Sequence, residues 1–211
     1  MANPDARFGL MPVGTLSGSP WQASVRKYNV SSSYATALFI GDPVDFDTTA
    51  SNIATAARYP YVIRSAFTNG TYSIGAIVAV EPDPDNLTRT YSPASTAAVV
   101  HVCTAPDAIY RIRDDGGAIL TNVALTQNAV GIFTHSGDTV TGLSGMELDA
   151  GTTDAPAADA SNTMLILGLA DISDNEFDGS TDTRMVWEVM INMHRFKQTG
   201  DGDGALGVTA S

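Results

Sequence analysis

The residues of this chain that could carry chemistry are three histidines, one cysteine and a scatter of serines and carboxylates. His101 and Cys103 stand at i and i+2, so they share one face of a strand and form a conceivable zinc-ligand pair. Small core residues occupy such positions far more often than ligands do. His135 falls in a turn segment and His194 in another strand candidate, with no His or Cys at ligand spacing, and no metal is expected. The run Asp174, Asn175, Glu176, Phe177, Asp178, Gly179 resembles the opening of a calcium loop, but the twelfth position is Met185, where a bidentate Glu is required. It reads as a polar hairpin loop between apolar strands. The DGDG run at 201–204 has the same reading.

Nucleophilic and phosphate-binding patterns are equally thin. Ser17 and Ser19 are flanked by glycine, yet no G-x-S-x-G elbow is present and no base stands nearby. Gly116 and Gly117 follow Asp114 and Asp115 as a turn, with no Lys-Ser/Thr to complete a phosphate cradle. Glu81, Glu147 and Glu188 could supply a carboxylate pair for glycoside cleavage, although an exposed face with scattered carboxylates is the default. No catalytic residue and no cofactor are assigned, and no enzymatic activity is expected.

The elements that hold these residues are short. ASVRKYNV, TALFI, YVIRSAF, IGAIVAV, AAVVHVC, AIYRIR, AVGIF, TMLILGL and MVWEVMINMHRF are β-branched or aromatic runs of strand length. Alternation at Val25, Lys27, Asn29 and at Ile109, Arg111, Arg113 predicts sheets with one wet and one buried face. DPVDFDTT, EPDPDN, RDDGG, HSGDTVTG and SDNEFDGSTD supply turn chemistry between them. The expected fold is mainly β, an antiparallel sandwich or barrel of jelly-roll type, with at most two short helices at 49–59 and 118–129. Residues 148–162 read as a surface loop.

Residues 1–23 are expected to form an extended arm, residues 24–197 a single β domain and residues 198–211 a flexible tail. In the arm, Pro12, Gly14, Gly18 and Pro20 interrupt any regular ladder, and its large apolar groups must be buried on their own domain or on a neighbour. Phe8, Leu10, Met11, Leu16 and Trp21, with Arg7, Arg26 and Lys27 as ion-pair donors, are the candidate interface residues. Trp21 serves equally as a core residue at the start of the first strand, and Trp187 reads as core.

With 211 residues and one cysteine, the chain is long enough for a single core without disulfides, which suits a reducing compartment of synthesis. A net charge of −12 with only 11 Lys+Arg argues against nucleic-acid binding. No apolar run approaches the ~20 residues of a membrane-spanning helix. The start MANPDARFGL lacks the pattern of a secretory leader, so the sequons at Asn29, Asn69 and Asn86 are not expected to carry glycans.

Seven segments in order, GLMPVGTLSGSPW with TALFIGDPV, VHVCTAPDAIYRIR, NAVGIF, TGLSGMELD, MLILGLADISDNEFD and VWEVMINMH, resemble the capsid decoration, or cement, proteins of tailed phages. The resemblance spans about residues 7–196. It implies a structural virion protein, made in the bacterial cytoplasm and bound to the outer capsid surface, with the phage major capsid protein as partner. It also implies a homo-oligomer, a trimer before a dimer, and it carries over no active-site residue. The alternative is a carbohydrate- or receptor-binding β module of a head fibre or tail.

Overall fold

The computed structural model describes residues 6–49, 58–117, 127–175 and 184–197. Its strands are β1 (Met11–Thr15), β2 (Val25–Val30), β3 (Pro43–Phe46), β4 (Val62–Arg64), β5 (Gly75–Val80), β6 (Ala98–Cys103), β7 (Ala108–Arg113), β8 (Asn128–Ala129), β9 (Gly131–Ile132), β10 (Glu147–Leu148), β11 (Met164–Leu169) and β12 (Val186–Ile191). A turn of 3-10 helix at Trp21–Ser24 leads into β2. Two five-stranded antiparallel sheets result, in the orders β1-β7-β12-β11-β8 and β2-β6-β5-β3-β4, with β9 and β10 as a separate two-stranded ladder. They pack as a sandwich, the mainly β antiparallel fold expected from the run lengths.

Period-two alternation places the core. Ala108, Tyr110 and Ile112 of β7, Trp187, Val189 and Ile191 of β12, and Met164 and Ile166 of β11 meet Ala76 and Cys103 of the second sheet in one buried cluster. A second cluster, including Tyr28, Val30, Val44, Ile77, Val100 and Val102, lies on the other face of the second sheet, where Phe46 and Phe196 pack against it. Both faces of that sheet are therefore buried at its middle, and the strands there, β5 and β6, accordingly read as nearly continuous apolar runs.

The fold departs from several of these expectations. Within the segment read as an arm, β1 pairs with β7 as an edge strand, its register shifting between Pro12 and Gly14. That bulge lets the ladder continue past a proline and a glycine that would otherwise end it. TALFI contributes no ladder; Leu38 and Ile40 make isolated bridges to Ser92 and Leu143. DPVDFDTT, expected to be turn, contains β3, paired with β4 and β5. AVGIF is divided at Val130 between β8 and β9. The stretch 49–59 lies mostly outside the described residues, as does 118–129, whose described end is β8. The tail 198–211 and most of the acidic loop 174–182 also lie outside them.

After β12 the chain crosses between the sheets. Ser73 N–H donates to the Met193 carbonyl at 3.0 Å and Arg195 N–H to the Ser73 carbonyl at 2.9 Å, while the Arg195 guanidinium grips Asp45 of β3, the shortest contact being 2.6 Å. This strap, residues 192–197, ties the central strand of the first sheet to the second.

Candidate functional site

The carboxylates that could have formed a catalytic pair are each held by a cation. Glu81 accepts from Lys27 Nζ at 2.5 Å, with His101 Nε2 at 3.4 Å, and these partners, Lys27 first, hold its carboxyl below the usual range. Glu188 accepts from Arg111 at 3.1 and 3.2 Å. Glu147, only 2% exposed, accepts from Arg113 Nη2 at 2.7 Å, Arg7 Nε at 3.1 Å and the Thr134 hydroxyl at 2.8 Å. Arg113, placed by alternation on a wet face, is 2% exposed because β10 brings Glu147 over it.

Cys103 is buried and its thiol pKa is raised by desolvation, while His101 sits part-exposed beside Glu81. His194 is buried, with Nδ1 accepting the Phe196 N–H at 3.1 Å. Its Nε2 finds no hydrogen-bond partner among the described residues. Burial, then the charge of Lys197, lowers its pKa to about 4. Ser17 and Ser19 lie in the exposed turn after β1, where the Ser17 N–H donates to Asp107 Oδ2 at 3.2 Å.

The candidate interface residues separate into two groups. Leu10 is fully buried between the sheets and Trp21 packs half-buried against the same core. Phe8 is half-buried, Arg7 is tied to Glu147 and Lys27 to Glu81. Met11 (42% exposed), Leu16 (62%) and Arg26 remain at the surface, and Val13, an apolar residue of the same segment outside the candidate interface set, joins them at 39%.

Met11 and Val13 continue onto the outer face of the first sheet. Residues opposite in phase to the core positions are Ile109 and Arg111 on β7, Val186, Glu188 and Met190 on β12, and Leu165 on β11. Register aligns Gly14, Ile109, Met190 and Leu165 in a row across four strands, and Met11, Arg111 and Glu188 in the next. The first row ends at Asn128 of β8, Met190 within it is only 6% exposed, and Arg113 at the end of β7 is covered by Glu147 and Arg7; between these the face is apolar apart from the Arg111–Glu188 pair, which cancels itself, in a molecule of net charge −12.

At one end of the second sheet is an open cleft of about 690 Å³. Its floor is the end of β2 (Asn29, Val30), the start of β6 (Ala98, Val99) and Val80 of β5. One wall is Arg58, Tyr59 and Tyr61; the other is the loop from Glu81 to Tyr91. The first wall is fastened to β2 by the Asn29 N–H to the Pro60 carbonyl at 2.9 Å and the Asn29 side-chain amide to the Tyr59 carbonyl at 2.7 Å. The second is fixed by Arg89 Nη1 on Asp83 Oδ2 at 2.9 Å and by Tyr91 stacked on Phe39, ring centroids 5.0 Å apart. Nothing in the spacing of these residues marks them as a group, although aromatic rings flanking Pro60 and the prolines at 82, 84 and 93 are the local signal of rigid walls.

No family model matches the chain, and no curated protein or solved structure matches it either.

Proposed function

We propose that the protein is a structural component of a phage particle, a decoration protein that binds the outside of the capsid through the outer face of its first sheet and has no catalytic role. The ordered segments described above motivate the family. The observation that carries the binding mode is the apolar, charge-cancelled sheet face that continues onto Met11 and Val13, with Leu16 exposed just beyond. Apolar patches of this kind on soluble proteins mark sites of association. A strongly acidic domain meets a protein lattice with least electrostatic opposition where its own charges cancel.

A protein that contacts several capsid subunits binds the assembled shell and not its dissociated parts, so mass action makes it stabilise the shell. Repetition over the lattice adds avidity to modest single contacts where the geometry permits. The test is co-sedimentation with purified shells of the corresponding phage. The double variant Met11→Lys, Val13→Lys changes only exposed side chains, and we expect it to melt like the parent while binding shells at least about tenfold more weakly, a loss of about 1.4 kcal/mol. Undiminished binding by a folded double variant would remove this face from the interface, and failure of the parent to bind any shell would remove the reading itself.

A further inference from the structure

We propose that the cleft at the end of the second sheet binds a neutral oligosaccharide. The inference rests on the cleft alone and stands or falls independently of capsid attachment.

Its size is that of a small-ligand site, which commonly occupies about 300–1,000 Å³. Its walls are preformed: the Tyr59–Tyr61 segment is bonded to β2, Asp47 N–H donates to the Tyr61 carbonyl at 2.9 Å, and the opposite loop is held by the Arg89–Asp83 ion pair. Tyr91 is fixed against Phe39, and Ser92 exchanges backbone hydrogen bonds of 2.8 Å with Leu38. A ligand entering such a cleft orders little of the protein, so more of the contact energy appears as affinity.

The chemistry of the lining selects among ligand classes. Tyr59, Tyr61 and Tyr91 are part-exposed aromatic rings, surfaces against which the apolar C–H face of a pyranose can lie. Around them stand acceptors, the carboxylates of Glu81, Asp83 and Asp85, and donors, the guanidinium groups of Arg58 and Arg89. A sugar hydroxyl both donates and accepts, and a set containing both kinds of group satisfies it where a purely acidic or basic set would not. Phosphorylated or acidic ligands are disfavoured, because Arg89 is already paired with Asp83, Glu81 is paired with Lys27, Asp85 stands in the same lining as Arg58, and the whole chain carries −12.

An extended peptide is the other class that uses tyrosines and carboxylates. Its usual mode adds a strand to a free sheet edge. In this cleft the outer edge of β2 is already bridged, Asn29 to Tyr61, and the Asn29 N–H is spent on Pro60. Recognition is left to side chains, which suits a ligand without a backbone ladder to complete.

The experiment titrates the intact chain with a panel of neutral tetrasaccharides, built from glucose, galactose, mannose or N-acetylglucosamine, and reads binding by saturation-transfer NMR and calorimetry. A proline-rich decapeptide bearing two arginines is titrated in parallel. We expect at least one glycan to bind, Tyr59→Ala and Tyr61→Ala each to weaken it about tenfold, and Tyr61→Phe, which keeps the ring, to weaken it less. Thermal melts identify any variant that fails to fold, and Arg89→Gln, on the opposite wall, then serves in its place. The proposal is overturned if no glycan binds up to about 10 mM, if binding ignores every wall substitution, or if the decapeptide alone binds. Shell co-sedimentation of the tyrosine variants should equal that of the parent, which separates a failed glycan site from a failed decoration reading.

Discussion

Glu147 illustrates how a side chain that looks catalytic can be structural. Its carboxylate is enclosed with the Arg113 guanidinium, both 2% exposed, and removing one partner leaves the other charge buried without compensation. Glu147→Ala should cost about 3–5 kcal/mol in urea unfolding, and adding Arg113→Met to it should recover part of that loss. His194 and Asp42 form a second pair of consequences, opposite in sign. The folded pKa of His194, about 4, lies below its ordinary 6.5, so its contribution to stability is present above pH 6.5 and is lost as the pH falls through 4. Asp42 is buried, and desolvation raises its pKa from 3.8 to about 6 despite hydrogen bonds from Ser144 and the Phe39 N–H. Its contribution is present below pH 3.8 and is lost as the pH rises through 6. The two oppose each other between pH 4 and 6. Relative to the parent, His194→Gln should therefore hold its stability better on acidification from pH 6.5 to 4, and Asp42→Asn should hold it worse. Chemical denaturation at half-unit pH steps measures both slopes, and parallel profiles for parent and variants would refute the assignment.

On the scale of elements, β1 contains both of the fates foreseen for the N-terminal segment. Leu10, just before it, fills the core, and Met11 and Val13 face outward. Leu10→Ala should lose about 2–5 kcal/mol, whereas Met11→Lys should stay within about 0.5 kcal/mol; thermal melts of the two single variants decide whether the strand belongs to its own domain. Removing residues 1–16 should accordingly destabilise the sandwich instead of leaving it intact. The strands most legible in the sequence were those whose own residues alternate or run apolar, such as β6, β7 and β11. β3 was hidden because Asp42, Pro43, Asp45 and Asp47 have the composition of a turn, and what keeps Asp45 in a strand is Arg195, distant in sequence. β10 is two residues long and gives no periodic signal. The cleft was illegible for the same reason as β3: Tyr59, Asp83 and Tyr91 come from segments that only the folded sheet brings together. The outer face of the first sheet was half legible, since alternation marked Ile109 and Arg111 as outward but could not say that Glu188 would neutralise the arginine.

For the molecule as a whole, a net charge of −12 opposes self-association everywhere except where charges cancel. Where copies meet at a charge-cancelled surface, the oligomer expected from the sequence should be weakest at low ionic strength and grow as salt shortens the Debye length from about 30 Å at 0.01 M to about 8 Å at 0.15 M. Sedimentation velocity across that range tests it; association that weakens with salt would point to an ion-paired interface instead. Chain order adds a consequence in time. All five strands of the second sheet lie between Val25 and Cys103, whereas the first sheet joins the earliest strand, β1, through β7 to the latest, β12, which is central to it. On the ribosome, the second sheet is complete while all but β1 of the sheet that covers its inner face is still unmade. At about 5–20 residues per second the wait lasts several seconds, with an apolar surface open to other nascent copies. Synonymous codons that slow translation between β7 and β12 should therefore lower the soluble yield of an unchanged protein, and codons that hasten it should raise the yield.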